Sequence, residues 1–184
     1  MKKIVVVPGT NRQGSLTGLL AKPVCADYRE LGFEVDCLDL STMTAQFLEP
    51  GAYKAPGTDV KAMVDRFLVA DGVVFLVPEY NGSYPGVLKL YIDMLPYPEG
   101  FEARPCAFIG LAAGQFRALR AVEHLQAVVG YRNGHIFPRR VFIGDSYKQF
   151  DFEAQGALVD LELRERLTDQ AKGFAAFIGA VRPS

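Results

Sequence analysis

Two hydrophobic rhythms alternate along this chain: short runs that are apolar at every position, and longer stretches that are apolar at every third or fourth. The first run, Ile4-Val5-Val6-Val7, ends at Pro8-Gly9. It is apolar on both faces, as a strand buried inside a parallel sheet must be. Leu20, Val24, Tyr28 and Leu31 then recur at i, i+4, i+8 and i+11, which predicts a helix stopped by Gly32. Pro23 falls inside it and predicts a kink, or a helix whose regular part starts near Lys22. Residues 33–40 read as a second strand. Segment 41–58 is broken by Pro50, Gly51, Pro56 and Gly57, and a loop of that length usually covers something. Val60, Met63, Val64 and Phe67 mark a helix over 59–70. Val73-Val74-Phe75-Leu76-Val77 is the most apolar run and marks the central strand over 72–78. A short helix (86–95) and a fourth strand (106–111) follow. Then come a helix carrying Ala118, Ala121, Val122, Leu125, Val128 and Val129, and a fifth strand (136–143) interrupted by Pro138. A last helix runs through Leu167, Ala171, Phe174, Ile178 and Val181.

The order is βαβαβαβαβα. Strict alternation implies right-handed crossovers and a doubly wound α/β fold, a parallel sheet with helices on both faces. No repeat, low-complexity tract or linker interrupts it, so residues 1–184 are expected to form a single domain. Ligands in such sheets bind beyond the carboxyl ends of the strands. That rule selects the loops after Val7, Val77 and Leu111.

The first loop, Gly9-Thr10-Asn11-Arg12-Gln13-Gly14-Ser15-Leu16-Thr17, joins a buried strand to a helix N-terminus, where free amides and the dipole attract anions. Thr10, Ser15 and Thr17 add hydroxyls, and Arg12 adds a fork suited to phosphate. Gly9 and Gly14 have P-loop spacing, but Ser15-Leu16 stands where Lys-Ser/Thr is needed, which disfavours NTP hydrolysis. GxGxxG is absent too, so a monophosphate fits better than a dinucleotide. The plainer alternative is a turn that caps a helix. The second loop, Pro78-Glu79-Tyr80-Asn81-Gly82-Ser83-Tyr84-Pro85-Gly86, is stiffened by two prolines. It is expected to aim successive amides at one spot, with Tyr80 or Tyr84 as an aromatic face, which suits a flat heteroaromatic ring. The alternative is an ordinary strand-to-helix turn with Pro85 opening the helix. The third, Leu111-Ala112-Ala113-Gly114-Gln115-Phe116-Arg117, offers few donors beyond Gln115 and Arg117. His124 and His135 read as structural or solvated. No GxSxG, HExxH or Cys–His cluster appears, so neither a metal site nor a catalytic triad is indicated.

Composition narrows this further. One hundred and eighty-four residues make about one domain at ~150 residues each. Twenty Lys plus Arg against 21 Asp plus Glu leave a formal charge of −1, which argues against a nucleic-acid or anionic-membrane partner. No apolar run reaches the ~18 residues of a membrane helix, and the run before Pro8 is too short for a signal peptide. Cys25, Cys37 and Cys106 form no CxxC pair. They suggest neither a disulfide framework nor zinc, but a reducing cytoplasm.

The stretch Pro78-Glu79-Tyr80-Asn81-Gly82-Ser83-Tyr84-Pro85-Gly86-Val87-Leu88-Lys89, with Ile92-Asp93 after it, strongly resembles the NADPH-dependent FMN reductase family, which includes flavodoxin-like chromate, quinone and azo reductases. Gly9-Thr10-Asn11-Arg12-Gln13-Gly14-Ser15 is similar to that family's phosphate loop, Gly-Ser-x-Arg-x-x-Ser. The resemblance extends over nearly the whole chain. It implies a flavodoxin-like five-stranded sheet in the order 2-1-3-4-5, FMN as cofactor, NADPH or NADH as co-substrate, and a homodimer, sometimes a dimer of dimers. Thr10, Arg12, Ser15, Leu16 and Thr17 would then hold the 5′-phosphate. Pro78, Glu79, Tyr80 and Asn81 would line the isoalloxazine, with Ala112 and Gly114 closing the site from the third loop. Against the family's third loop, Ser-x-Gly-x-x-Gly-Gly-x-Arg-Ala, Gly114, Arg120 and Ala121 match. Ala112 replaces the serine, Arg117 and Ala118 replace the glycines, and Leu90 replaces an asparagine usual after Lys89.

The resemblance implies a ping-pong oxidoreductase in which the flavin does the chemistry, so no acid–base residue is expected. Electrons would pass from NAD(P)H to bound FMN and on to a flavin, quinone, azo compound or metal oxyanion. Tyr80 and Arg117 are candidate substrate contacts, Arg117 for the 2′-phosphate of NADPH or an anionic acceptor, against the alternative of a solvated helix-start residue. Two other classes compete. A flavodoxin-type electron carrier would be strongly acidic for docking, which a charge of −1 does not fit. A flavin-fold interaction or sensor protein without turnover is kept open by Ala112 and Arg117. The short helix over 86–95, apolar at Leu90, Tyr91, Met94 and Leu95, is expected at a dimer interface, with segment 41–58 reaching toward the partner's flavin.

Overall fold

The computed structural model describes residues 1–153 and 156–182. Strands β1 (Lys3–Pro8), β2 (Glu34–Cys37), β3 (Gly72–Pro78), β4 (Pro105–Leu111), β5 (His135–Ile136) and β6 (Val141–Ile143) form one parallel sheet in the order β2-β1-β3-β4-β5, with β6 also paired to β4. Helices α1 (Leu16–Glu30), α2 (Thr58–Leu68), α3 (Gly86–Asp93), α4 (Leu119–Tyr131) and α5 (Leu161–Val181) cover both faces. The strands sort their side chains by alternation, because successive residues point to opposite faces. Val5, Val7, Val73, Phe75, Val77 and Phe108 face α2, α3 and α4. Ile4, Val6, Val74, Leu76, Ala107 and Ile109 face α1 and α5. This is the doubly wound, flavodoxin-like topology the alternation implies.

Several elements differ from the reading of the pattern. β2 is four residues long rather than spanning 33–40, because the chain turns into short 3-10 segments at Leu40–Thr42 and Ala45–Leu48. Helix α1 starts at Leu16, not near Lys22, and runs through Pro23. Leu20, Ala21, Val24, Cys25 and Tyr28 are buried on both sides of the proline, so apolar contact outweighs the one backbone hydrogen bond that proline deletes. Within segment 41–58, Phe47 is buried with its ring 6.4 Å from that of Tyr91. In α3 and the two residues after it, Tyr91 and Leu95 belong to the chain's own core rather than to an exposed face, while Leu90 and Met94 are partly buried. Helix α5 begins six residues before Leu167, where Asp160 caps it by accepting from Leu163 N at 3.1 Å. A small antiparallel pair, β7 (Phe150–Asp151) with β8 (Ala157–Leu158), follows the sheet.

The fifth strand is two pieces. Pro138 carries no N–H, so the ladder to β4 stops after Phe137 N donates to Cys106 O at 2.9 Å. It resumes at Val141. Gln170 of α5, 1% exposed, fills the gap: its Nε2 donates to Phe108 O and Arg139 O, both at 2.9 Å.

Candidate functional site

An open cleft of about 260 Å³ lies beyond the carboxyl ends of β1, β3, β4 and β6. The loop after β1 contributes Arg12, Gly14, Ser15, Leu16 and Thr17. The loop after β3 contributes Pro78, Glu79 and Tyr80, and the end of β4 contributes Leu111, Ala112 and Ala113. Ser146, Tyr147 and Phe152 come from beyond β6.

The β1 loop leaves the sheet through Gly9, whose N–H donates to Leu76 O at 2.8 Å. A Cβ there would lie 2.9 Å from that oxygen and 3.0 Å from the Leu88 side chain, so the turn requires glycine. Ser15 caps α1 by accepting from Gly18 N at 3.1 Å, and its own hydroxyl hydrogen remains to donate. The amides of Leu16 and Thr17 lie in the first turn, where no intrahelical acceptor exists. That turn carries no acidic residue. Arg12 makes no salt bridge among the described residues. Thr10, 2% exposed, accepts from Arg12 N at 3.3 Å and lies 2.7 Å from Tyr80 Oη, which ties the first loop to the second. This end of the cleft therefore presents amides, hydroxyls and a guanidinium, the donor set that a phosphate dianion needs, and Glu79 is the one carboxylate in the cleft lining. An FMN phosphate fits that donor set.

The second loop differs in one respect from the converging amides the prolines suggest. Asn81 (φ 52°) and Gly82 (φ 79°) make a tight turn in which Tyr80 N donates to Ser83 O (2.8 Å) and Ser83 N to Tyr80 O (3.1 Å). Positive φ at both central positions is the type I′ arrangement, which Asn-Gly favours. Glu79 N donates to Leu111 O at 3.3 Å. Three of the amides are thus engaged within the protein, and Asn81 sits exposed at the turn tip, outside the cleft lining. Ser83 Oγ lies 3.0 Å from His124 Nδ1, which anchors the turn to α4. His124 is therefore a structural partner of the loop.

In the third loop Ala112 N donates to Ile143 O at 2.9 Å, so the cleft sees the Ala112 side chain beside Ala113. Gly114 lies outside the lining and accepts from Arg117 N at 3.1 Å. Arg117 (φ 52°) and Ala118 (φ 63°) hold the left-handed backbone that glycines would hold there. The Arg117 side chain packs over Gly144, in a separate polar hollow with Asp145, Asp160 and Arg166. It does not line the cleft, and buried Ala118 does not narrow its mouth.

The pattern gave no weight to Ser146, Tyr147 and Phe152. The same carboxyl-end rule extended to the fifth strand would have selected their segment, but the element boundaries there were blurred by Pro138. Tyr147 and Phe152 are 63% and 60% exposed, large aromatic surfaces beside the cleft.

This is a flavin-type cleft on a flavodoxin-like sheet: a phosphate end at the first helix and apolar walls from the loops after β3, β4 and β6. Residues 2–149 match the model of the NADPH-dependent FMN reductase family, and the chain belongs to that family of oxidoreductases, which brings FMN as cofactor and NAD(P)H as reductant. It is 28% identical over 183 residues to an NAD(P)H-dependent FMN reductase of Pseudomonas aeruginosa, covering 98% of this chain and 97% of the relative. It is 26% identical over 186 residues to a quinone reductase of Escherichia coli K12, covering 98% and 97%. Among solved structures, the flavoenzyme NAD(P)H:(acceptor) oxidoreductase FerB of Paracoccus denitrificans superimposes with a TM-score of 0.79 at 25% identity, covering 98% of both chains.

Proposed function

We propose that this FMN-dependent NAD(P)H oxidoreductase works by ping-pong turnover with a quinone-type acceptor, as a cytoplasmic homodimer. The observation that carries the reading is the cluster of donors at Arg12, Ser15 and the first turn of α1, a turn that carries no acidic residue. When bound, FMN supplies the redox chemistry, taking up hydride from NAD(P)H and returning two electrons to an acceptor.

In this reading the residues of the chain bind and orient. Arg12 and the Ser15 hydroxyl hold the phosphate, with the amides of Leu16 and Thr17. Thr10 and Tyr80, joined at 2.7 Å, fix the distance between the phosphate loop and the ring loop. Pro78, Glu79 and Tyr80 wall one side of the ring site, and Leu111, Ala112 and Ala113 the other. Tyr147 and Phe152 give flat apolar surface for stacking a planar acceptor. The quinone reductase of E. coli and the acceptor oxidoreductase of P. denitrificans support this choice of acceptor. A flavodoxin-type carrier would need an acidic docking face, which a formal charge of −1 does not favour.

Arg12→Ala is expected to weaken FMN binding by about 1.5–3 kcal/mol, the scale of a hydrogen bond to a charged group, and Ser15→Ala by less. Fluorescence titration of FMN reads both, and unchanged affinity in Arg12→Ala removes this residue from the site. Initial rates with NADPH and a benzoquinone both varied should give parallel double-reciprocal lines. Intersecting lines would exclude ping-pong turnover.

A further inference from the structure

Several of the polar side chains buried in this fold are spent inside it. Asp27 accepts from Arg164 Nη1 at 2.7 Å, Arg104 Nε donates to Gly100 O at 2.8 Å, and Gln170 bridges the split fifth strand. Thr10 is different. It is buried at the edge of the donor cluster, in a polar hollow that shares Arg12, Gly14 and Ser15 with the cleft. Its Oγ1 carries two lone pairs and one hydrogen. Arg12 N donates to it at 3.3 Å, and Tyr80 Oη lies 2.7 Å away, an ordinary O–H···O length. Neither hydroxyl has a further hydrogen-bond partner among the described residues.

We propose that Tyr80 is a positioning residue for the flavin phosphate: its phenol donates to Thr10 Oγ1, and Thr10 turns its own hydrogen toward the phosphate. This rests on the FMN reading of the cleft. Two placements of the hydrogens satisfy the 2.7 Å separation. If Thr10 donates, its single hydrogen is spent on Tyr80 and the phenol hydrogen is left over. If Tyr80 donates, both lone pairs of Thr10 are filled, by Arg12 N and by the phenol. The Thr10 hydrogen is then free for an anion held at Arg12 and Ser15. The phenol is the more acidic donor of the two, and an anion at the far end polarises the whole chain in that direction. Tyr80 also lines the ring end of the cleft. One side chain from the ring loop thus helps to choose FMN over riboflavin, which has no phosphate to receive the hydrogen. A plain brace between the two loops would serve both flavins alike.

The test compares FMN with riboflavin by fluorescence titration of the full-length protein freed of flavin. The parent protein should bind FMN more tightly. Tyr80→Phe keeps the aromatic ring and removes the hydroxyl. It should weaken FMN about tenfold, the lower end for a hydrogen bond to a charged group, and leave riboflavin within about twofold. Thr10→Val should do the same, and the double variant should lose no more than the larger single loss, because both cut one chain. Thr10→Ser should keep the parent preference. Circular dichroism checks that each variant is folded, and if Thr10→Val is not, the flavin preference of Tyr80→Phe decides alone. An equal loss for both flavins in Tyr80→Phe would make the contact a brace and overturn the proposal with the FMN reading intact. Unchanged FMN affinity in that variant, or losses that add in the double variant, would overturn it in the same way. A parent protein that binds riboflavin as tightly as FMN would overturn the FMN reading itself, and the proposal with it.

Discussion

Arg117 and Ala118 hold left-handed φ values of 52° and 63° where the related loop carries glycines. The loop needs that conformation because its ends are fixed: Leu119 N donates to Phe116 O at 2.8 Å, and a Cβ on Gly110 would come within 2.9 Å of Arg117 O. For an L-residue this backbone costs roughly 1–2 kcal/mol, against the 0.5–1 kcal/mol of chain entropy a glycine loses. Arg117→Gly is therefore expected to raise unfolding free energy by about 0.5 kcal/mol, and β-branched Arg117→Val to lower it by more than about 1 kcal/mol. Urea titration reads both, and a clear loss in Arg117→Gly would mean that packing over Gly144 outweighs the strain. Sequence showed that this loop departs from its family, but not where the side chain goes. The hollow that holds Arg117 is built by Asp145, Asp160 and Arg166, residues in a part of the chain with no readable rhythm. Arg12 and Ser15 do line the cleft, and their placement was legible for the opposite reason: it follows from one local rule, the polar first turn of a helix after a buried strand, and needs no long-range contact.

Elements with a strong rhythm match their sequence pattern to within a residue or two, as at β3, β4 and α2. Pattern and structure part where tertiary contact substitutes for a local bond. The split between β5 and β6 is tolerated because Gln170 donates to both carbonyls left open, and Gln170 reads in sequence as one more polar helix residue. Gln170→Leu keeps the volume and removes both donors. It is expected to cost about 2–3 kcal/mol, since buried acceptors are left unpaired, with α5 retained by circular dichroism. A loss under about 0.5 kcal/mol would show that the break does not depend on this side chain. A second such link joins β2 to α2, where Arg66 donates to Asp36 at 2.9 and 2.7 Å. The Arg66 hydrogen bond and charge hold the Asp36 carboxyl below the usual carboxylate range. A lowered pKa adds stability that is fully present above the ordinary value near ~4 and is lost as pH falls through the lowered one. Arg66→Met should thus reduce stability at pH 7 by under about 1 kcal/mol, because the guanidinium is partly solvated. The gap to the parent protein should close as pH falls through that lowered value. A difference that persists unchanged at low pH would assign the effect to packing of the Arg66 stem.

At the scale of the molecule, one surface is harder to account for in a lone protomer than the rest. Leu48 and Tyr53 in segment 41–58, Tyr97 after α3 and Tyr131 at the end of α4 are all exposed, Tyr131 at 83%. Between α3 and α4 runs a groove lined by Ile92, Val128, Tyr131 and Arg132. Tyr53 and Tyr97 line a second hollow, which meets the groove at Asp93. Scattered apolar residues are ordinary on a protein surface, but several large ones in adjoining hollows mark a contact site. Tyrosine and arginine are the residues that most often dominate such contacts. The same helix α3 follows the ring loop directly, so a second copy seated here would brace Tyr80 and Ser83 through Pro85. A homodimer across this face is the expected assembly, burying on the order of 1,600 Å² in total if it is of standard size. Light scattering at micromolar concentration should give twice the 20.2 kDa chain mass. Tyr131→Glu places a charge in the groove, which is costly to desolvate, and is expected to shift the species toward monomer with the fold unchanged by circular dichroism. A monomeric parent protein, or a Tyr131→Glu dimer of unchanged stability to dilution, would move the interface elsewhere or abolish it. Weakened FMN binding in the monomeric variant would further show that the braced ring loop, rather than the phosphate end, depends on assembly.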